Sequence, residues 1–89
     1  MKTIRKGVQE EIAEGFDWSD RLLSGETIAA SSWQVDFGLT GGNAVFDDTT
    51  SEIEITGGAV DTSYKVQNEV TTSDGLVYQR SFKVLVAER

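Results

Sequence analysis

One stretch, from Thr62 to Val86, constrains the fold of this chain more than any other. Each of its two arms alternates apolar and polar side chains, and a Ser-Asp-Gly turn signal separates the arms. Such alternation is typical of strands that bury one face. The apolar set comprises Tyr64, Val66 and Val70 on the first arm and Tyr78, Phe82, Val84 and Val86 on the second. The stretch therefore predicts one long β-hairpin.

The apolar faces of the two arms also determine the turn between them. A two-residue loop at Asp74-Gly75 would place Val66 opposite Lys83 and would mix an apolar face with a polar one. A three-residue loop at Ser73-Asp74-Gly75 pairs Val66 with Phe82 instead. We therefore predict a type I turn followed by Gly75 in the left-handed conformation, which a residue without Cβ adopts without steric penalty.

The same register places two polar side chains on the inward face of the hairpin. Asn68 comes opposite Arg80. Long polar side chains can cover apolar surface while their polar ends stay in water. We therefore expect both residues near the margin of the sheet.

Upstream of the hairpin, short alternating segments between turn signals predict further strands. They run from Ile12 to Trp18, from Thr27 to Phe37, from Ala44 to Phe46 and from Ser51 to Thr56, and we expect a loop at Leu39–Asn43. A change of apolar parity near Ser31-Ser32 predicts a bulge. A helical interpretation of Val8, Ile12 and Phe16, at i, i+4 and i+8, remains open for the first segment.

The segment Ser19–Leu23 predicts a single helical turn. Ser19 is a suitable N-cap, Asp20 is a favourable acid in a first turn, and Gly25 is a typical stop. Trp18 would then cover one end of the core. The alternative for Trp18 is a surface anchor for a partner.

Six or seven short strands in a chain of 89 residues indicate a two-layer fold with a thin core. We predict an all-β, antiparallel, immunoglobulin-like sandwich at residues 9–89, preceded by a basic arm at residues 1–8. The alternative for Thr3-Ile4-Arg5, within this arm, is a short strand. Tyr64 occupies the place of the corner tyrosine of immunoglobulin-like domains, two residues before the core residue Val66. Trp33 is the candidate aromatic for the middle of the core.

The charges are divided between this arm and the body of the chain. Three of the eight basic residues, Lys2, Arg5 and Lys6, fall in the first six positions, whereas residues 7–64 hold twelve acids and the single base Arg21. The net charge of −7 argues against general nucleic-acid binding, because a phosphate backbone requires a basic surface. The candidate interface residues are Lys2, Ile4, Arg5 and Lys6 in the arm, together with Trp18 and Tyr78.

The composition offers few reagents for catalysis. The chain has no histidine and no cysteine, so the usual triads and zinc sites cannot be built. Asp47-Asp48 lies in a turn without the spacing of a calcium loop, and nothing around Glu52 and Glu54 supplies an apolar pocket. We therefore expect no catalytic site, no metal and no cofactor.

No apolar run approaches the roughly 20 residues of a membrane span, and the basic N-terminal residues are not followed by the apolar stretch of a secretory signal. We therefore expect a soluble protein that is synthesised in the cytoplasm and has no membrane partner.

Several short segments occur in an order that resembles a known family. They are Phe16-Asp17-Trp18-Ser19, Gly25-Glu26-Thr27-Ile28, Ser32-Trp33, Gly57-Gly58, Tyr64, Thr71-Thr72-Ser73-Asp74-Gly75 and Arg80-Ser81-Phe82. Together they resemble the phage fiber-tail adaptor proteins, which are small virion components of tailed bacteriophages. The resemblance implies an immunoglobulin-like domain, present in several copies in the tail or neck, that joins the tail to fibers or neighbouring proteins. It implies no catalytic residues.

Two hypotheses of function follow. In the first, the chain is a structural virion protein and forms a homo-oligomer, in which the basic arm of one copy docks on the acidic body of another. In the second, it is an immunoglobulin-like binding module for carbohydrate or a cell-surface partner. Such modules usually expose a row of aromatic side chains. Here we expect Trp18, Trp33, Phe16, Phe37 and Phe82 in the core, which leaves Tyr78 as the one loosely placed candidate.

Overall fold

A computed structural model describes residues 2–87, and all of the regular structure in this range is β-strand. The strands are β1 (Lys2–Gly7), β2 (Ile12–Asp17), β3 (Ile28–Val35), β4 (Leu39–Phe46), β5 (Thr50–Gly57), β6 (Thr62–Thr72) and β7 (Val77–Ala87). They form a four-stranded sheet with the order β1-β7-β6-β3 and a three-stranded sheet with the order β2-β5-β4. The predicted all-β, two-sheet architecture is therefore confirmed.

The core lies between the two sheets, because the strands of both alternate apolar residues toward one shared interior. The main buried cluster comprises Leu39, Ile53 and Ile55 from the three-stranded sheet and Tyr64, Val66, Phe82, Val84 and Val86 from the four-stranded sheet. A second cluster of Trp18, Ile28 and Val70 fills one end of the sandwich. Trp33 is half-buried and stacks on Phe16, with ring centroids 6.0 Å apart.

The N-terminal segment that the sequence suggested as an arm contributes a strand to the four-stranded sheet. Lys2–Gly7 forms β1, which pairs in parallel with β7 from Lys2 opposite Phe82 to Gly7 opposite Ala87. All other strand pairs among the described residues are antiparallel. The sequence predicts a wholly antiparallel sandwich, and the parallel pair of β1 and β7 differs from that prediction.

The hairpin of β6 and β7 has the predicted register. Val66 lies opposite Phe82, and Asn68 lies opposite Arg80. The Gly75 N–H donates to the Thr72 carbonyl over 2.9 Å, and Gly75 has a φ of 83°. A left-handed glycine as the last residue of a three-residue loop matches the right-handed twist of the two strands, so the predicted turn is confirmed.

Tyr64 forms the predicted tyrosine corner. Its ring is buried beside β7, and its hydroxyl accepts a hydrogen bond of 2.8 Å from the Ala59 N–H, five residues upstream. This contact ties the loop between β5 and β6 to the start of β6, as in other immunoglobulin-like sandwiches.

The helical turn predicted at Ser19–Leu23 is wrong. The Trp18 carbonyl accepts from the N–H groups of Arg21 and Leu22 at 2.8 and 3.1 Å, but the next donor does not continue the series. The Leu23 N–H donates to Glu26 Oε1 instead, over 2.9 Å. A side chain that comes later in the sequence thus ends the turn before a helix can form.

Irregularities in β3 and β4 also differ from expectation. The register of β3 shifts between Ile28 and Ala30 rather than near Ser31-Ser32. Leu39–Asn43, expected as a loop, belongs to β4, which pairs with β5 from Leu39 opposite Gly57 onward. Main-chain pairing does not require apolar side chains, so the glycine-rich sequence of β4 gave no alternating signal for it.

The sequence predicts Phe37 in the core, and this prediction is wrong, because the residue is fully exposed to solvent. β3 ends at Val35, and Asp36 then makes two hydrogen bonds to the main chain of Lys65. Its N–H donates to the Lys65 carbonyl at 3.1 Å, and its Oδ2 accepts the Lys65 N–H at 2.8 Å. The chain then turns toward Leu39, and the turn directs Phe37 into solvent.

Asn68 was expected at the sheet margin, and this is also wrong, because it is fully buried. Its Oδ1 accepts from the Ser51 hydroxyl and from Trp18 Nε1, the latter at 3.2 Å. Its Nδ2 donates to Ser31 Oγ at 3.0 Å and to the Ser32 carbonyl at 2.9 Å. These four bonds satisfy a polar group inside the core and connect β6 to β3 and to the other sheet.

We expect Asn68→Ala to lower the free energy of unfolding by about 1–3 kcal/mol, because several buried donors and acceptors lose a partner. Urea titration followed by tryptophan fluorescence measures this change. The control is Gln67→Ala on the opposite face of the same strand, which should change the free energy by less than about 0.5 kcal/mol. Equal losses in the two variants would contradict a structural role for the buried amide.

Candidate interaction surfaces

The four candidate residues of the N-terminal segment have different environments, because successive residues of β1 point to opposite faces. Ile4 lies opposite Val84 and packs against the core. Arg5 lies opposite Leu85 on the outer face and is exposed. The segment therefore does not act as one uniform basic surface.

Lys6 has no exposed surface. Its Nζ donates to the carbonyls of Gly7, Val8 and Gly57, at 2.8, 3.2 and 2.7 Å. Three acceptors satisfy the three donors of a lysine ammonium. Lys6 thus connects the end of β1 to the end of β5, and its ammonium offers nothing to a partner in this fold.

Lys2 connects β1 to β2 of the other sheet. Its Nζ forms an ion pair with Glu14 Oε1 at 2.8 Å and lies 5.4 Å from the centre of the Phe16 ring. An exposed pair of this kind contributes at most about 1 kcal/mol. Among the four candidates, this leaves Arg5 as the base that faces solvent without an acidic partner among residues 2–87.

Trp18 and Tyr78 meet at one end of the sandwich. Trp18 is fully buried, and Tyr78, which is half-buried, stacks on it with ring centroids 6.5 Å apart. The Arg80 guanidinium lies 4.6 Å from the Trp18 ring and binds both carboxylate oxygens of Asp20 at 2.8 and 2.9 Å. Arg21 lies 4.9 Å from the Tyr78 ring. Trp18 therefore plugs the core and has no surface with which to anchor a partner.

Glu26 fixes the loop between β2 and β3 to the end of β6. It is 5% exposed, and its Oε2 accepts the Thr72 hydroxyl hydrogen at 2.6 Å. The Thr72 hydroxyl and then the Leu23 N–H lower the pKa of Glu26 by binding its charged form, and they outweigh the opposing effect of burial. This carboxylate is therefore a structural contact, without the raised pKa of a general acid.

The outer face of the four-stranded sheet carries a basic cluster, which we call the basic face: Arg5, Lys65 and Lys83. All three side chains are exposed. Lys65 lies directly opposite Lys83 in the register of β6 and β7. The hairpin register predicted from the sequence implies this pairing, so the alternation of β6 and β7 is the signal that locates the two lysines.

The outer face of the three-stranded sheet carries two exposed carboxylates, Glu52 and Glu54, which we call the acidic face. Their cross-strand neighbours on β2 are small, with Gly15 opposite Glu52 and Ala13 opposite Glu54. A Cβ at Gly15 would lie 1.9 Å from the Ser51 carbonyl oxygen, so this position requires glycine. The two outer faces of the sandwich thus differ in the sign of their charge.

The open side of the sandwich, between β3 and β4, forms a groove of about 430 Å³ that Trp33, Gly41 and Gly42 help to line. Trp33 Nε1 is buried and has no hydrogen-bond partner among the described residues. Two aromatic side chains are strongly exposed, Phe37 before β4 and Phe46 at its end. Because opposite ends of one strand separate them, they do not form the row that is typical of carbohydrate-binding modules.

The remaining chemistry of residues 2–87 is sparse. They contain no cluster of three or more Asp or Glu side chains placed to hold a metal ion. Nor does this part of the chain include a helix long and apolar enough to cross a membrane.

The chain is similar to one protein family and to a solved domain structure. A family model described as "Podophage GP4 fiber-tail adaptor protein gp77" matches residues 6–85. The solution structure of the PKD domain from KIAA 1837 protein is similar to this chain, with a TM-score of 0.63 and 21% identity over 99% of this chain and 80% of that one. At this identity the likeness shows the fold alone, an immunoglobulin-like sandwich. No curated protein matches the chain.

We expect Lys6→Met to lower the free energy of unfolding by about 1–3 kcal/mol, because methionine keeps the apolar stem but leaves three carbonyls without their donor. Denaturant titration measures the loss. The matched control is Arg5→Met, one residue earlier and exposed, which should change the free energy by less than about 0.5 kcal/mol. A larger loss at Arg5 than at Lys6 would contradict the structural role assigned to the ammonium.

We also expect the free energy of unfolding to fall in acid. The pKa of Glu26 is lower in the folded chain than its ordinary value, so the folded state binds fewer protons and protonation favours unfolding. The contribution of Glu26 to the free energy of unfolding should be fully present at a pH above the ordinary pKa of the carboxyl group. It should be lost as the pH falls through the lower pKa of the folded state. The pKa values of Asp17 and Asp47 are lowered as well, chiefly by main-chain N–H donors, and contribute with the same sign.

Urea midpoints measured between pH 7 and pH 2.5 test this dependence. Glu26→Gln should be less stable than the wild type at neutral pH and should show a flatter decline in acid. Asp74→Asn, a matched change in an exposed turn, is the control for loss of a carboxylate. Parallel curves for wild type and Glu26→Gln would show that Glu26 does not contribute.

Proposed function

Because the chain belongs to the podophage GP4 fiber-tail adaptor family, we propose that it acts as an adaptor or connector in a tailed-bacteriophage virion, where it joins the tail to fibers or to neighbouring tail proteins. The observation that supports this most strongly is the family match over residues 6–85, nearly the whole chain. We place the protein in the tail or neck of the particle, after synthesis in the host cytoplasm. Several copies of the protein are present in each particle, and they make no contact with nucleic acid.

The way the chain uses its carboxylates supports a structural role over an enzymatic one. Asp47 Oδ1 accepts from the N–H groups of Thr49 and Thr50 at 3.0 and 2.8 Å, so this acid caps its own turn. Glu26 holds a loop, and Asp20 holds Arg80. The hydrogen bonds to Glu26 and Asp47 bind the charged forms and lower both pKa values, whereas a general acid requires a raised pKa.

The distribution of exposed groups also suits an adaptor. The outer face of the four-stranded sheet carries Arg5, Lys65 and Lys83 beside the acid Glu69, and the outer face of the other sheet carries Glu52 and Glu54. The two faces therefore have opposite net charge, which permits contact with two neighbours at once. A connector must join two bodies. A small domain with distinct faces and few concave sites meets that requirement.

Analysis of purified particles tests the proposal. We expect mass spectrometry to find the chain in purified virions, and a particle reconstruction to show several copies between the tail and the fibers. Particles from a phage with this gene deleted should contain filled heads but should lose fibers. Finding the chain only in the soluble lysate, and not in particles, would overturn the proposed function.

A further inference from the structure

We propose that copies of this chain dock head to tail, with the basic face of one copy on the acidic face of the next. The inference rests on the proposed function, since it specifies how the several copies in a particle would contact one another. It assigns a role to surface charges that the fold does not require.

The basic face is costly for an isolated chain. Like charges directly opposite each other in a sheet are destabilising, and Lys65 and Lys83 form such a pair. The two ion pairs among residues 2–87 are Lys2 with Glu14 and Arg80 with Asp20, so neither lysine has an acidic partner there. The Asp36 carboxylate lies near Lys65 but binds its main-chain N–H. A partner's carboxylates would relieve this repulsion.

The acidic face has the complementary form. Glu52 and Glu54 point outward from the central strand of the three-stranded sheet, among small or uncharged neighbours. Glu54 accepts a hydrogen bond of 2.7 Å from Asn43 Nδ2, while no base pairs with either carboxylate among the described residues. Ala13, Gly15 and Gly42 leave space beside both carboxylates, so long lysine side chains can reach them.

The placement of the two faces decides the symmetry of the contact. They lie on opposite sides of the sandwich, because they belong to the outer surfaces of different sheets. A two-fold contact would bring like faces together and would place lysines on lysines or glutamates on glutamates. A head-to-tail contact brings opposite charges together at every interface, and such heterologous contacts generate closed rings or filaments.

Paired charge reversals test this geometry in solution. Lys65→Glu/Lys83→Glu replaces one like-charged pair by another, so the cross-strand repulsion within the fold is retained. Glu52→Lys/Glu54→Lys reverses the other face. Sedimentation velocity at about 20 mM and about 300 mM salt, over a range of protein concentrations, measures association, with circular dichroism as the check on folding. Screening should weaken a charge-driven contact at the higher salt.

We expect the wild type to associate at low salt and to dissociate at high salt. Each double variant alone should sediment as a monomer, because both of its faces then have a net charge of the same sign, even though Arg5 is unchanged. An equimolar mixture of the two double variants, and the fourfold variant that carries all four reversals, should associate again. The recovery distinguishes docking between the two faces from a general effect of net charge.

Arg21→Glu and Asp74→Lys are the controls, since each reverses one charge away from both faces, and they should associate like the wild type. A wild type that stays monomeric at low salt, or double variants that associate as well as the wild type, would overturn the docking proposal. So would a mixture of folded double variants that stays monomeric.

The two proposals fail in different ways. If the chain is found at the tail but does not self-associate, the adaptor function stands and the docking of copies is wrong. If the chain associates through these faces but is absent from particles, the adaptor function is wrong.

Discussion

The register of the β6–β7 hairpin is the constraint on which the rest of the structure depends. A three-residue turn ending at Gly75 sets which residues of the two longest strands face one another. A shift of one residue would move every side chain to the opposite face. The register therefore determines both the buried row that contains Val66 and Phe82 and the exposed pair of Lys65 and Lys83. The buried row of the hairpin and the two lysines of the basic face therefore have one common cause.

Buried polar contacts, together with apolar packing, specify the arrangement of the two sheets. Asn68 and Lys6 are fully buried, and each binds groups from sequence-distant strands. A thin sandwich of this size has little apolar area to distinguish one arrangement of sheets from another. Hydrogen bonds that are satisfied in a single arrangement penalise the alternatives, because an unpaired buried group is costly. These two residues thus help to specify how the sheets are joined.

The exposed charges are distributed in a way that the packing of the core does not require. The chain is acidic overall, yet its exposed bases without an ion-pair partner among residues 2–87 include three on a single sheet face. An isolated soluble domain gains nothing from grouping them, since mixed charges would reduce repulsion. Grouping is useful to a protein whose faces meet other surfaces. In a member of a family of virion adaptors, this division of charge is what the proposed contact between copies uses.

The sequence alone determined the all-β class, the hairpin with its turn at Gly75 and the tyrosine corner of Tyr64, because these depend on local alternation, glycine conformation and spacing along the chain. It also supported the family through the order of its short segments. Only the tertiary structure decided that Lys2–Gly7 pairs with β7, that Leu39–Asn43 belongs to a strand, and that Asn68 is buried while Phe37 is exposed. Those outcomes depend on partners far away in the chain, and main-chain pairing and buried hydrogen bonds leave no periodic pattern in the residues that form them.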